Sequence, residues 1–329
     1  MIPSISGLDL ILRHWASILG DDPRARSLGE KNTPLAIQAS GGKEYVLKAA
    51  EDTAFSEHIA DRLDLLGWLD LQGVPVAAPV PLDGDPQAFL AGADGRRYWL
   101  APYLAAGCPV ETREWYANTG AAIACLHRAL AAYPGTIHSW RMDLAGDTLK
   151  LDAPLLRERL AGADGAAFAR AAGYLAQRLP GRLPGLPAQH IHGDCHGGNI
   201  LWDGERVSGF IDLDHLPWGP RVYDLGYFLA DLAKNRFHEQ AKIATWFAGL
   251  RSFLQGYQAG LALSDAEITI LPAVMMAVQV RFAAWFARHE DPERVRFNLE
   301  ALYWLDEQSG KILREMEEAE DVESGRPGD

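Results

Sequence analysis

The chain is 329 residues long, with a net charge of −13, ten Trp and an apolar fraction of 48%. That length buries a substantial core in one two-lobed unit or two domains, and the Trp-rich composition excludes a disordered chain. The acidic balance argues against nucleic acid as a main partner, because a phosphate backbone needs a basic surface.

Cys108, Cys125 and Cys195 are odd in number and widely spaced, which argues against a disulfide framework and suits a reducing, cytoplasmic setting. The N-terminus MIPSISGLDLILRHW lacks a basic region followed by a long apolar run, so no secretion signal is expected. No stretch approaches the roughly 20 apolar residues that span a bilayer, so no membrane partner is expected.

In chain order, LAIQASGGKEYVLKAA places two apolar runs around Gly41-Gly42 and predicts a hairpin. The stretch TAFSEHIADRLDLLGWLDLQG follows, with Phe55, Ile59, Leu63, Leu66 and Leu69 at three-to-four spacing. It predicts an amphipathic helix stopped by Gly73. Pro and Gly punctuate the short strands expected between Val74 and Leu104. From Glu111 the character turns to Ala-rich helix, and most of the remainder is helical. The exception is HIHGDCHGGNILWDGERVSGFIDLDHLPWGP, from His190 to Pro220, where two β runs flank a turn at Asp203-Gly204. Near the C-terminus, Ser264 and Glu267 have capping-box spacing. Ile268, Leu271, Met275, Val278 and Phe282 then form a core stripe, with Arg281, Trp285 and Arg288 as candidates for an acceptor pocket. The final fifteen residues hold seven acidic side chains and one Arg, and the last ten or so read as a solvated tail.

Two chemistries compete for the His190–Pro220 stretch. A zinc cage would use His190, His192, Cys195 and His196, but zinc sites want paired ligands from separate elements, and no second Cys/His pair stands at the usual distances. Phosphoryl transfer accounts for more residues. It needs positioning and charge neutralisation: one carboxylate near the acceptor hydroxyl, and oxygen ligands for Mg²⁺. Asp194 and Asn199 lie five residues apart, and Asp212 follows thirteen residues later at the end of the hairpin. A catalytic-loop Asp and Asn followed by a metal-binding Asp is the arrangement of protein kinases.

HGDCHGGN, FIDLD and GPRVYDLGYFL together resemble the aminoglycoside phosphotransferase/choline kinase family, which shares the protein-kinase-like fold. The resemblance runs from about residue 25 to 310. Within the family, VPVAAPV, HGDCHGGNILW and AEITILPAVMMAVQVRFAAWF look nearest to the type II homoserine kinases and stress-response kinase A. It implies a two-lobed α+β fold: a β-rich nucleotide-binding lobe over 1–104, a mainly helical catalytic and acceptor-binding lobe over 105–316, and the acidic tail over 317–329. It also implies ATP and Mg²⁺ as cofactors and a small hydroxyl compound as acceptor, such as an amino alcohol, a homoserine-like amino acid or an amino sugar. A protein Ser/Thr kinase and a nucleotide-binding pseudoenzyme are the alternatives.

By the same resemblance Asp194 orients the acceptor and takes its proton, and Asn199 and Asp212 hold Mg²⁺. Lys48 in EYVLK contacts the phosphates, and Asn32 in GEKNTPLAI lies on the loop that covers them. The backbone of Pro102, Tyr103 and Leu104 holds adenine. The ion-pair partner of Lys48 is Glu57 by residue type or Asp61 by spacing, with Glu57 preferred. Asp214 either helps the metal or bonds its own loop. Asp224 caps its helix or braces the catalytic loop, and His192 and His196 are expected to be structural.

Overall fold

The structure is a computed structural model that describes residues 7–28, 34–50, 58–85 and 88–317. Asn32, Glu57 and the tail beyond Glu317 lie outside the described residues. The chain divides into two compact units. One comprises Met1–Ala106, Ala132–His138 and Ser208–Ile211; the other comprises Gly107–Ala131, Ser139–Val207 and Asp212–Asp329. Two short pieces from far along the chain thus belong to the first unit, which no single cut in the sequence anticipates. Phe210 shows why: its amide donates to the Pro75 carbonyl at 2.7 Å, and it forms a parallel bridge with Val76.

The first unit is a five-stranded antiparallel sheet of β1 (Arg24–Ser27), β2 (Leu35–Gln38), β3 (Glu44–Ala50), β4 (Leu90–Ala91) and β5 (Arg97–Pro102), in the order β1-β2-β3-β5-β4. The hairpin at Gly41-Gly42 joins β2 to β3 as expected, closed by Ala39 N–H to Lys43 C=O at 2.8 Å. Side chains alternate across a strand, so the two faces of the sheet bury different partners. Leu35, Ile37, Leu47, Tyr98 and Leu100 pack with Trp15 and Leu19 from short helical segments near the N-terminus. On the other face Ala50 and Trp99 pack with Ile59 and Leu63 of α1 (Ile59–Leu71). Helix α1 buries Leu65 rather than the expected Leu66, which is only partly buried against that cluster. It stops at Gly73, where Val74 N–H returns to the Leu69 carbonyl at 3.0 Å.

The second unit is built on helices α2 (Arg113–Ala132), α3 (Gly162–Arg182), α4 (Val222–Lys234), α5 (Gln240–Gly260), α6 (Asp265–Arg288) and α7 (Pro292–Glu317). Helix α2 starts where Thr112 Oγ1 accepts the Trp115 amide at 3.1 Å. It packs so tightly on α5 that a Cβ added at Gly120 would stand 2.1 Å from the Phe253 carbonyl oxygen. Between α3 and α4 run β6 (Ala188–His190), β7 (Ile200–Asp203), β8 (Arg206–Phe210) and β9 (Trp218–Pro220), with β6 antiparallel to β9 and β7–β8 a hairpin.

The expected capping box opens α6: Ser264 Oγ accepts the Glu267 amide, and the Glu267 carboxylate accepts the Ser264 amide at 2.9 Å. The same fully buried carboxylate takes two bonds from Arg221, at 2.6 and 2.8 Å, which tie the entry of α4 to the entry of α6. Helix α6 is also long and apolar enough to cross a membrane by length and composition, against the expectation that no stretch would be. Most of its apolar surface is buried within the unit, against α4, α3 and α7. Phe282, expected in its core stripe, is only half-buried.

Candidate active site

The loop from His192 to Asn199 follows β6 and is held from two directions. From one side comes the segment after Asp212. Antiparallel pairing sets His190 opposite Trp218, the Ile191 amide donates to the Pro217 carbonyl at 3.0 Å, and His190 Nδ1 donates to the Leu216 carbonyl at 3.0 Å. Gly193 adopts φ +79°, and a Cβ there would come 2.4 Å from Pro217 Cδ. Only glycine permits both the dihedral and the approach. This pairing holds the Asp194 loop and the Asp212 segment together within one unit. Asp212 does not end β8, as the sequence suggested. The strand stops at Phe210, and Asp212 sits beyond it, exposed, at φ +60°.

From the other side comes one face of α4. Asp224, fully buried, accepts the amides of His192 (2.7 Å) and Gly193 (2.9 Å) and the Nε2–H of His127 (2.9 Å). The hydroxyl of Tyr257 completes this chain on His127 Nδ1 at 2.9 Å. Three residues after Asp224, Tyr227 donates its phenol to Asp194 Oδ1 at 2.5 Å. Four residues further, Asp231 accepts the Gly197 amide at 3.2 Å. Positions i, i+3 and i+7 lie on one helical face, so a single stripe on α4 holds the loop at both ends and at its carboxylate. Asp224 braces the loop, one of its two expected roles.

Asp194 is about a third exposed. Its Oδ2 accepts from Asn199 Nδ2 at 2.9 Å and lies 3.6 Å from His196 Nε2. The Asn199 amide nitrogen also reaches the Asp194 carbonyl at 2.9 Å. With Nδ2 so engaged, Oδ1 is the atom Asn199 offers to a cation. The Gly198 amide donates to His196 Nδ1 at 2.9 Å, which places the imidazole proton on Nε2, toward Asp194. Burial alone would raise the Asp194 carboxyl. The neighbouring His196 imidazole and the hydrogen bond from Tyr227 outweigh it and hold the group well below the usual carboxylate range. Burial, reinforced by Asp194, pushes the Tyr227 phenol far above its ordinary value.

The zinc cage does not form. His190 faces the Leu216 carbonyl and the edge of Trp218, His192 Nδ1 accepts the Asp194 amide, His196 turns to Asp194, and Cys195 is fully buried with its thiol pushed well up by burial. Each imidazole braces backbone or carboxylate, as expected of His192 and His196. The predicted nucleotide-binding residues that are described lie in the first unit. Lys48 stands opposite Trp99 in the β3–β5 register, so it projects from the face that carries α1. On α1, Asp61 accepts from His138 at 2.9 Å. Pro102 has no amide proton and Tyr103 N–H donates to the Glu44 carbonyl at 3.1 Å, so of the Pro102–Leu104 segment Leu104 supplies the amide available for a base.

Tyr227, Tyr257 and Asp231 were absent from the sequence expectations, whereas His127 stood out in the sequence through the Leu126-His127 pair of GAAIACLHRAL, which resembles a large-lobe helix of the family. For Tyr227 and Asp231 the signal lay in VYDLGYFLADLAK, where they follow Asp224 at i+3 and i+7 on a mostly apolar helix.

The model of the phosphotransferase enzyme family matches residues 24–263. Homoserine kinase of Neisseria meningitidis serogroup B is 29% identical over 269 residues, which cover 79% of this chain and 80% of that protein. Stress response kinase A of Shigella flexneri is 31% identical over 136 residues, covering 38% and 37%. Among solved structures, a microcompartment-associated aminopropanol kinase superposes with a TM-score of 0.65 at 20% identity, covering 93% of this chain and all of that one.

Proposed function

Since the chain belongs to the phosphotransferase enzyme family, we propose that it transfers the γ-phosphoryl group of ATP to the hydroxyl of a small amino-acid-like acceptor, with homoserine the leading candidate. The observation that carries this reading is Asp194: a partly exposed carboxylate, kept ionised, with Asn199 bonded to the same side chain.

In this mechanism Asp194 accepts a hydrogen bond from the acceptor hydroxyl and turns its oxygen lone pair toward the γ-phosphorus. As the new O–P bond forms and the bond to the β-phosphate oxygen breaks, the proton passes to Asp194 and ADP leaves. Asn199 Oδ1 and the Asp212 carboxylate are hard oxygen donors, the kind Mg²⁺ prefers, and would hold it. When bound, Mg²⁺ neutralises charge on the phosphates. Lys48 is assigned to the phosphates, and the Leu104 amide with the Pro102 carbonyl to adenine. Asn32 and Glu57 keep the roles that the resemblance implies.

Support for an amino-acid acceptor comes from the homoserine kinases among the relatives and from one ion pair. Arg281 donates to Asp147 at 3.0 Å with both side chains about a third exposed. Arg281 adjoins Phe282, whose ring meets Tyr227 edge-on at 5.3 Å. An acceptor carrying a carboxylate and an ammonium group would find a cation and an anion here, next in sequence to the ring that packs on Tyr227. The test is ADP release from Mg·ATP with L-homoserine, aminopropanol, an aminoglycoside or a generic protein acceptor, for wild type and Asp194→Asn. Turnover with L-homoserine, reduced about 10²- to 10⁴-fold in the variant, is expected. Turnover with the protein acceptor alone would move the assignment to a protein kinase. Absence of acceptor-dependent turnover with any of them would overturn the proposal.

A further inference from the structure

The Asp194–Tyr227 contact has a consequence for what the site does before an acceptor arrives. A hydroxyl that receives the phosphoryl group must donate a hydrogen bond to the catalytic carboxylate. Asp194 has two oxygens for this. Oδ2 is engaged by Asn199 and faces His196. Oδ1 is engaged by a hydroxyl already, that of Tyr227, at 2.5 Å. The distance is that of a charge-assisted O–H···O⁻ bond. Tyr227 is 3% exposed, and its ring is fixed by His196 stacked at 5.9 Å, by the edges of Tyr223 at 5.8 Å and by Phe282 at 5.3 Å. The ring cannot leave, but rotation about the C–O bond or a small tilt frees Oδ1 for another donor.

We propose that the Tyr227 hydroxyl holds the acceptor's seat on Asp194, excluding water from it until an acceptor hydroxyl displaces the bond. This rests on the reading of Asp194 as the catalytic carboxylate and adds to it a device against wasteful hydrolysis. Water is the smallest hydroxyl compound and the most abundant. Seated on Asp194 Oδ1 it would attack the γ-phosphorus: the new O–P bond forms, the bond to the β-phosphate oxygen breaks, one water proton passes to Asp194 and on to solvent, and ADP and phosphate are released. A tethered phenol in that place prevents this. An acceptor held at several points, unlike water, supplies enough binding energy to move the phenol aside. Tyr227 is thus a positioning residue that discriminates between acceptor and solvent.

The decisive measurement is phosphate release from Mg·ATP without any acceptor. Tyr227→Phe keeps the ring and removes only the hydroxyl. It should raise acceptor-free hydrolysis at least fivefold. In Tyr227→Phe/Asp194→Asn the added hydrolysis should disappear. An unchanged or lower hydrolysis rate in folded Tyr227→Phe would overturn the proposal, leaving the tyrosine as a brace. Hydrolysis that rises in Tyr227→Phe but persists in the double variant would instead sink the reading of Asp194 itself. Wild-type protein decides the point should Tyr227→Phe fail to fold. With the seat closed, its acceptor-free rate stays at that of Asp194→Asn. A wild-type rate well above that of Asp194→Asn would show water already seated on the carboxylate, and the proposal would fall.

Discussion

Asp224 offers the sharpest test of how the loop is held. Its carboxylate is fully buried and accepts three hydrogen bonds, from the His192 and Gly193 amides and from His127. In Asp224→Ala all three donors lose their partner. Each buried orphan costs about 1–3 kcal/mol, partly recovered if water enters the space left behind, so a loss of about 4 kcal/mol is expected. Asp224→Asn is milder. Oδ2 serves both His192 and His127 while Oδ1 serves Gly193 alone, so an amide with its oxygen at the Oδ2 position turns its NH₂ against the Gly193 amide. That single conflict costs about 2 kcal/mol. The catalytic consequence follows from position, since Gly193 immediately precedes Asp194. A displacement of about 1 Å at a reacting group can cost about 10²-fold, so kcat should fall about that far in Asp224→Ala while the Kd for ATP stays within a few-fold. Thermal unfolding, steady-state kinetics and nucleotide titration on the two variants give the three readings. The reasoning is refuted if Asp224→Ala unfolds with wild-type stability and wild-type kcat, because the loop amides would then have other partners.

Gly193→Ala must place a methyl group against Pro217 at a dihedral that costs a non-glycine residue about 1–2 kcal/mol; at least a tenfold loss of kcat is expected, read from initial rates. Glu267→Ala leaves Arg221 without its carboxylate and removes the capping box of α6. A loss of about 3–5 kcal/mol, the cost of breaking a buried pair, should appear in denaturant or thermal unfolding. Asp194 is held below the usual carboxylate range, so the stability it contributes is fully present above its unfolded pKa of about 4 and is lost as pH falls through the depressed folded value. The stability difference between wild type and Asp194→Asn should therefore be flat at neutral pH and change only below about pH 4, measured by unfolding at a series of pH values. Asp212→Asn should raise the Mg²⁺ concentration for half-maximal activity at least tenfold, read by titrating Mg²⁺ at fixed ATP.

What the sequence revealed and what it hid divide along a physical line. The hairpins at Gly41-Gly42 and Asp203-Gly204 and the capping box at Ser264 and Glu267 were legible because turns and caps are specified by residues a few positions apart. The meeting of Asp194 with Asn199 was legible because their spacing is short and their residue types are demanding. Bonds to distant residues were not. His127 lies 97 residues from Asp224, and Tyr227 lies 33 residues from Asp194; no periodicity encodes such a meeting. Phe282 fell into the apolar stripe by spacing, yet its ring serves Tyr227 at the edge of the site. Asp212 was read as the end of a strand, because the alternation in VSGFIDLD continues past Phe210, where the ladder stops.

The stripe on α4 accounts for why the loop can carry so many polar groups between two apolar strands. A loop with buried amides must satisfy them, and Asp224 and Asp231 do so for His192, Gly193 and Gly197. Those carboxylates are negative, as is Asp194, so the loop gathers like charges. His127 against Asp224, Lys234 against Asp231 at 3.2 Å and His196 against Asp194 offset that cost pair by pair. Each carboxylate therefore has its own proton donor or cation, and of the histidines that suggested a zinc cage His196 serves in this way, while His190 and His192 bond backbone. Asp194 differs from the other two in having a neutral phenol as one of its donors. A phenol can release its bond to a partly exposed carboxylate at little cost, whereas the bond from His127 serves a fully buried one. The loop is thus held rigidly at its ends and by an exchangeable bond at its carboxylate, the position where, in the proposed reaction, an incoming hydroxyl has to compete.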